Sequence, residues 1–374
     1  MKKSLKINVL LGIFIFIGIS NSIFAQWDIN ISTLQEYSDN PFHSPFVTES
    51  YISSLNLSVD RAINTMGIGY YGNYTNFSES SERNYYWHQL KIWNTSNNIM
   101  YGLNIEQRFN GNDYNFYNYL NYSGYMKYKF NIEDVYIFGN SSLNVTDYSD
   151  LNDLDNLLGS VNITANKSFE TKTTLIGGVD FKYKRYFNTE FSSLEMIDGN
   201  NISQIESNTA FTSQLNFFGK IAQSLTPTTG LAVQFTSRNI IGGTAKTIRQ
   251  LDFAYGDESK YFDDPISYEG YTASLQLTQI LPLEIILRGS YFYNNKEYPS
   301  QGAYVEANNF DNEITRIDAQ QIINLGVQKK FYFGEQESTA LTLLLNYQHI
   351  NNSSNSFWYN YNSNKIKFGL NYNF

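Results

Sequence analysis

The last ten residues of the chain alternate strictly between two kinds of side chain. One set is apolar or aromatic and consists of Ile366, Phe368, Leu370, Tyr372 and Phe374. The other set is polar or small and consists of Lys365, Lys367, Gly369, Asn371 and Asn373. Successive side chains of a strand point to opposite faces, so this pattern predicts a strand with one apolar and one polar face. About ten residues are enough for a tilted strand to cross a bilayer.

The same alternation recurs through the whole chain, separated by turn-forming segments. The further segments are 27–36, 51–60, 65–74, 84–94, 99–110, 118–130, 133–147, 155–169, 175–182, 211–217, 231–238, 271–278, 285–294, 323–331 and 341–348. With the last segment they make sixteen strands, and fourteen is the alternative because single-chain barrels of this kind have even strand numbers. The pattern predicts an all-β fold, a transmembrane antiparallel up-and-down β-barrel.

The first 25 residues have the pattern of a secretion signal. Three lysines, Lys2, Lys3 and Lys6, precede an apolar run at 9–19 that is too short for a spanning helix, which needs about 20 residues. We expect cleavage after Ala25, which would leave residues 26–374 as a single barrel domain. The mature chain is thus expected to be exported to the cell outer membrane, crossing it with strands because only helices and closed barrels satisfy every backbone group in lipid.

The connections between predicted strands alternate in length. Short ones lie near 61–64, 95–98, 131–132, 170–172, 225–228, 281–282 and 334–338, whereas 188–207, 241–267 and 297–317 are long. Short periplasmic turns and long outer loops are typical of outer-membrane barrels, so both termini are expected on the periplasmic side.

Charge and composition exclude several functions. The net charge is −9, which makes the chain a poor binder of nucleic acid, and the absence of cysteine excludes disulfides and thiolate chemistry. Two acidic groups lack the spacing of a calcium loop: Asp147, Asp150, Asp153 and Asp155, and then Asp257, Glu258, Asp263 and Asp264. They are expected to be solvated, or to hold divalent ions that bridge to lipopolysaccharide. No metal site or cofactor is predicted.

Alternation assigns most strand lysines and arginines to the inside of the barrel. The predicted lumen-lining basic residues are Lys91, Arg108, Lys127, Lys129, Lys182, Lys184, Lys220, Arg238, Arg288, Lys330, Lys365 and Lys367. The predicted lumen acids are fewer and comprise Asp60, Glu106, Asp134, Asp180 and Glu284. Such a wall could select anions in a narrow pore. The alternative is that these charges form ion pairs that brace a wall that has to be polar in any case.

The leader, the hairpin rhythm and the aromatic C-terminal strand together resemble the porin-like outer-membrane β-barrel proteins of Gram-negative bacteria. The segment Tyr37-Ser38-Asp39-Asn40-Pro41-Phe42 also resembles a stretch that follows the first strand in some of them, and the Asn- and Tyr-rich composition is similar to that of Bacteroidota-type proteins. The resemblance implies a channel for passive or weakly selective diffusion of small solutes, such as anions or sugars. It also implies contact with outer-membrane lipid and lipopolysaccharide, and a possible homo-oligomer. Phe368, Leu370, Tyr372 and Phe374 would be the assembly signal that the barrel assembly machinery reads.

Other functions remain open at this stage. Loops could fill the lumen and make the chain a non-channel binding or assembly protein, and the inward-facing Tyr85, Trp87 and Trp93 could stack sugars. A rim-sited hydrolase would need one of the three histidines, His43, His88 or His349, beside a serine or aspartate. No motif places such a pair together, so the chain is not expected to be an enzyme.

Overall fold

A computed structural model describes residues 27–188, 211–246, 264–333 and 339–374. These residues form sixteen antiparallel strands in which each strand pairs with its neighbours in sequence, and β1 pairs with β16 to close a barrel. The strands are β1 Asp28–Ser38, β2 Ser50–Ile63, β3 Met66–Phe77, β4 Tyr85–Ser96, β5 Ile99–Asn110, β6 Tyr119–Ile132, β7 Val135–Tyr148, β8 Asn156–Ser168, β9 Thr173–Tyr186, β10 Phe211–Thr226, β11 Thr229–Gly243, β12 Glu269–Leu281, β13 Ile285–Glu306, β14 Asn309–Phe333, β15 Thr339–Ser354 and β16 Tyr361–Asn373. The predicted fold class and the strand number of sixteen are confirmed. The predicted signal peptide lies outside the described residues.

No helix in the described part of the chain is both long and apolar enough to cross a membrane.

Alternation along the strands separates an apolar outer surface from a polar interior. Leu287, Val327, Leu345 and Phe368 pair across four adjacent strands, and all four lie on the outward face. Large apolar side chains such as Leu325, which is 54% exposed, recur on this face around the barrel. Because a strand alternates with a period of two, the residues between them point into the barrel.

The inward positions form rows of amides and hydroxyls that bond to one another across strands. The amide of Asn30 donates to Asn371 at 2.9 Å across the β1–β16 closure. Further along the same side of the barrel, on β13–β15, Gln348 donates to Asn324 at 2.8 Å and Asn324 donates to Ser290 at 3.4 Å. These bonds satisfy polar groups that would otherwise be costly to hold inside a barrel wall.

Short turns join the strands at the rim that carries both chain ends, which we call the terminal end. Asn64, Asn97 and Glu133 have φ of 54°, 48° and 51°, the left-handed conformation that two-residue hairpin turns require. Longer connections lie at the opposite rim, the loop end. Among the described residues the predicted alternation of short and long connections is confirmed, with one exception.

The exception is the predicted long loop at 297–317. In the structure β13 and β14 continue through this segment and meet at a two-residue turn, 307–308. Register shifts follow Tyr298 and Tyr304, so the strands bend where the sequence alternation breaks. Those bulges made the segment look like a loop. Most of the predicted loops at 188–207 and 241–267, like the turn at 334–338, lies outside the described residues.

Candidate functional site

A cavity of about 1150 Å³ lies inside the barrel at the terminal end. Its wall includes Trp27, Asp60, Lys91, Trp93, Tyr125 and Lys127. A second cavity of about 450 Å³ adjoins it towards the loop end, and Gln89, Asn104, Ser123 and Asn144 line both. We call the two together the lumen chamber. A polar hollow enclosed by strands is where a barrel of this size can hold or pass a solute.

Most of the basic residues predicted to line the lumen alternate along their strands with exposed apolar residues. Lys91, for example, lies between Leu90 and Ile92, which are 54% and 50% exposed. An exposed apolar residue also stands directly beside most of the others, namely Arg108, Lys127, Lys129, Lys182, Lys220, Lys330, Lys365 and Lys367, but not beside Lys184, Arg238 or Arg288. Of these, only Lys91, Lys127, Lys182 and Lys184 border the chamber.

Part of this basic charge is paired with carboxylates. Four pairs join Lys91 to Asp60 at 2.8 Å, Lys182 to Asp180 at 3.2 Å, Lys184 to Asp264 at 2.6 Å and Lys367 to Glu36 at 2.8 Å. Two arginines bond to neutral groups instead, because Arg238 donates to Thr272 at 2.8 Å and Arg288 to Gln328 at 3.1 Å. A paired charge projects a much weaker field along the bore than an isolated one.

Two of the predicted lumen acids accept hydrogen bonds from residues of the barrel wall. Glu106 accepts hydrogen bonds from Tyr119 at 2.7 Å and Gln89 at 3.4 Å, and Asp180 accepts one from Asn216 at 3.1 Å, so both belong to the inner wall.

The assignment of Glu284 to the lumen is wrong. This residue lies in the turn Pro282–Glu284, has φ of 58° and exposes 80% of its side chain. Strand β13 begins only at Ile285, so Glu284 precedes the alternation on which the assignment depended. Asp134 is likewise a turn residue, between the ends of β6 and β7.

Connections at the loop end meet in an apolar cluster that we call the cap. Its buried members are Phe116, Tyr117, Leu151, Leu154 and Tyr359, which come from the β5–β6, β7–β8 and β15–β16 connections. Strands β7 and β15 are eight places apart in a ring of sixteen. The cluster therefore joins connections from opposite sides of the barrel, and it crosses the lumen. Leu154 also borders the upper cavity of the chamber.

A buried arginine fastens the extended β13–β14 hairpin to the cap. Arg316 forms an ion pair with Asp318 and donates to Gln301 at 2.9 Å, and Gln301 donates to the hydroxyl of Tyr359 at 3.2 Å. The guanidinium carbon lies 3.3 Å from the ring centroid of Tyr359 and 4.0 Å from that of Tyr298. Such a fully satisfied polar network holds its members in one arrangement.

The β1–β2 connection also folds inward. The amide nitrogen of Asn40 donates to the carbonyl oxygens of Ser44 at 2.7 Å and Asn362 at 2.9 Å, and its amide oxygen accepts from the backbone of Ser44 at 3.0 Å. Phe42 packs on Phe77 with ring centroids 5.7 Å apart.

His43 follows in the same connection and stacks on the ring of Tyr361, with centroids 4.7 Å apart. Its Nε2 atom is buried and has no hydrogen-bond partner among the described residues. Burial, followed by the positive charges of Lys365, Lys296 and Lys367, lowers the pKa of His43 well below its ordinary value.

The other two histidines point outward. His88 shares a hydrogen bond of 2.7 Å with the hydroxyl of Tyr70, and His349 shares one of 2.9 Å with the side-chain oxygen of Asn364. Within the described ranges, no three histidine, aspartate or glutamate side chains are grouped so that they could hold a metal ion.

The three aromatic residues singled out from the sequence take different positions. Tyr85 lies beneath Arg108, whose guanidinium carbon is 3.9 Å from the ring centroid, and Trp87 packs edge-on against Tyr71 at 5.0 Å. Only Trp93 borders the lumen chamber. Sequence reasoning missed the cap, for which the signal was two runs of aromatic residues, at 114–117 and at 357–359.

Comparison with known proteins yields a fold and no family. No family model and no curated protein matches the chain. Among solved structures, OccAB1 of Acinetobacter baumannii is similar with a TM-score of 0.54 at 10% identity, over 93% of this chain and 96% of that one. OccAB3 of the same organism gives 0.53 at 6% identity, over 94% and 99%. The outer membrane protein OpdK of Pseudomonas aeruginosa gives 0.50 at 8% identity, over 93% and 98%. The chain therefore has the fold of the outer-membrane porins.

Proposed function

We propose that this protein is an outer-membrane channel through which small polar solutes diffuse. The observation that carries the proposal is the lumen chamber, a polar cavity of about 1150 Å³ within a closed sixteen-stranded wall, continuous with a second of about 450 Å³. A barrel needs no chemistry to pass solutes, only a polar bore wide enough to admit them.

The outer surface supports a membrane location. Rows of exposed apolar side chains would be costly in water and are stable in hydrocarbon, where a closed barrel leaves no strand edge unpaired. The backbone nitrogen of Phe374 donates to the carbonyl of Ile29 at 2.9 Å, so the C-terminal residue itself is bonded to the first strand. This position fits the proposed role of Phe368, Leu370, Tyr372 and Phe374 as an assembly signal, because this strand closes the barrel.

The lining favours neutral polar solutes such as sugars over anions. Lys91, Lys182 and Lys184 are each paired with a carboxylate. The residues shared by both parts of the chamber, among them Gln89 and Asn104, are neutral donors and acceptors of hydrogen bonds.

Conductance measurements would test the proposal. The full-length chain, refolded in detergent and added to a planar lipid bilayer, should give discrete current steps in potassium chloride. A folded barrel, verified by its strand circular dichroism and by heat-dependent gel mobility, that gives no current above background would contradict the channel.

The cap supports a second candidate, a binding or assembly protein whose lumen is closed by its own connections. Phe116, Leu154 and Tyr359 meet across the bore. This function predicts no solute flux in liposome swelling and a stoichiometric partner that co-purifies with the barrel.

A further inference from the structure

Two aromatic rings lie against the inner wall of the chamber at its terminal end. Trp93 on β4 faces Gly67 on β3 and Gly102 on β5, and Gly102 also faces Tyr125 on β6. A row of two glycines and two aromatic residues thus crosses four strands on the inward face.

The glycines leave the space that the rings occupy. A Cβ atom added to Gly67 would lie 2.1 Å from Cε2 of Trp93, and one added to Gly102 would lie 2.7 Å from Cζ of Tyr125. Both distances are too short for real atoms, so a side chain at either position would displace the neighbouring ring. At Gly102 it would also meet the backbone oxygen of Ile92 at 2.5 Å. Each ring therefore lies across its glycine neighbour and is flattened against the wall.

The two rings are part of the chamber surface. Trp93 and Tyr125 both line the larger cavity and are only partly buried. Rings that served only to anchor the barrel at the lipid interface would lie on the outer surface. An inward ring laid flat offers its face to whatever enters the lumen.

The charges beside the rings balance. The ammonium groups of Lys91 and Lys127 lie 5.1 Å from the Trp93 centroid and 5.6 Å from the Tyr125 centroid. The same cavity is lined by Asp28 and Asp60, and Asp60 pairs with Lys91 at 2.8 Å. Two positive and two negative side chains favour a neutral ligand over an anion.

Amides that can both donate and accept hydrogen bonds lie further along the chamber. Asn104 donates to Ser123 at 3.2 Å, and Gln89 donates to Glu106 at 3.4 Å. These bonds are long, so exchanging them for bonds to a ligand costs little. A pyranose matches this arrangement because one face of the ring is made of C–H groups and its rim carries hydroxyls.

We propose that Trp93 and Tyr125 form a stacking floor for a neutral sugar ring, with Gln89 and Asn104 as hydrogen-bond partners of its hydroxyls. The proposal rests on the proposed function and names the solute class of the channel. Trp93 and Tyr125 are then residues that determine solute specificity. Gly67 and Gly102 leave the space in which the two rings lie flat.

Saturation-transfer difference NMR on the refolded full-length barrel would test this with maltotriose, a neutral trisaccharide, as the probe. Wild-type protein should transfer saturation to the sugar C–H protons in a saturable manner. Trp93→Ala should weaken the apparent affinity at least tenfold, whereas Trp93→Phe, which keeps a ring, should weaken it less. The matched control is Trp87→Phe, an inward tryptophan that does not line the chamber, and it should bind as the wild type does.

Two results would overturn the proposal: no saturable transfer to maltotriose with wild-type protein, or unchanged binding in a folded Trp93→Ala barrel. Gln89→Leu guards against a folding defect, because it leaves both rings in place and should still weaken binding. Salt conductance of the same preparation separates the two levels of inference. Conductance without sugar binding would reject only the stacking floor, whereas absence of conductance would reject the channel.

Discussion

His43 is the residue whose ionisation should loosen the folded β1–β2 connection. Its pKa is lowered in the folded state by burial and by neighbouring lysines, whereas in a released connection it should return to about 6.5. Below that pH the released form binds a proton that the docked form does not, so docking is stable above pH 6.5 and weakens as the pH falls. Glu36 and Asp39 lie near Lys365 and temper its effect.

Hydrogen exchange of residues 40–44 would measure this. After correction for intrinsic rates, we expect exchange to accelerate between pH 6.5 and pH 5. His43→Phe keeps the stack on Tyr361 without a titrating group, and it should remove the acceleration. An equal acceleration in that variant would show that another group is responsible.

Single residues also show which contacts could not be predicted from the sequence. Alternation placed Lys184 on the inward face, yet its partner Asp264 comes from a connection 80 positions away, which periodicity does not reveal. Asn40 stood out only as part of a short resembling segment, and its role as a bridge to Asn362 depends on barrel closure. The lumen prediction for Glu284 fails because the residue ends a turn, one position before β13 begins.

At the scale of elements, the cap is the part whose removal should change conduction. Leu154 is buried in it and borders the chamber. Truncating a buried leucine to alanine lowers the free energy of unfolding by about 2–5 kcal/mol. A loss of that size is enough to release a single docked connection. Leu154→Ala should therefore raise the mean single-channel conductance in bilayers.

Leu325→Ala is the matched control, since Leu325 lies on the outward face and is 54% exposed. It should leave conductance unchanged. If Leu154→Ala also conducts as the wild type does, the cap does not limit passage through the barrel.

The strands were predictable, and the packing of the connections against one another was not, for a physical reason. A strand such as β16 repeats its pattern every two residues, because one face meets lipid and the other meets water. The residues of the cap follow no sequence period. Phe116 and Tyr359 share one cluster only because the closed barrel holds their connections across a single bore. The β13–β14 hairpin was read as a loop because its bulges interrupt the alternation.

For the whole molecule, the balance of charge in the bore decides ion selectivity. A count of inward lysines and arginines predicts anion preference, whereas the pairs that the structure forms predict little preference. Lys91 and Asp60 are 2.8 Å apart in the chamber, with side chains 33% and 27% exposed, so each largely cancels the field of the other.

Reversal potentials in a potassium chloride gradient would distinguish the two predictions, preferably near 0.01–0.1 M salt, where the Debye length is roughly 10–30 Å. Wild-type channels should show a cation-to-anion permeability ratio close to one. Asp60→Asn leaves Lys91 without its carboxylate and should shift the ratio towards anions about twofold, and Lys91→Gln should shift it towards cations by a similar factor. If the wild type shows a strong anion preference that neither substitution changes, then cations other than Lys91 control the ion selectivity of the bore. Lys127, which borders the same cavity as Lys91, would then be the residue to neutralise.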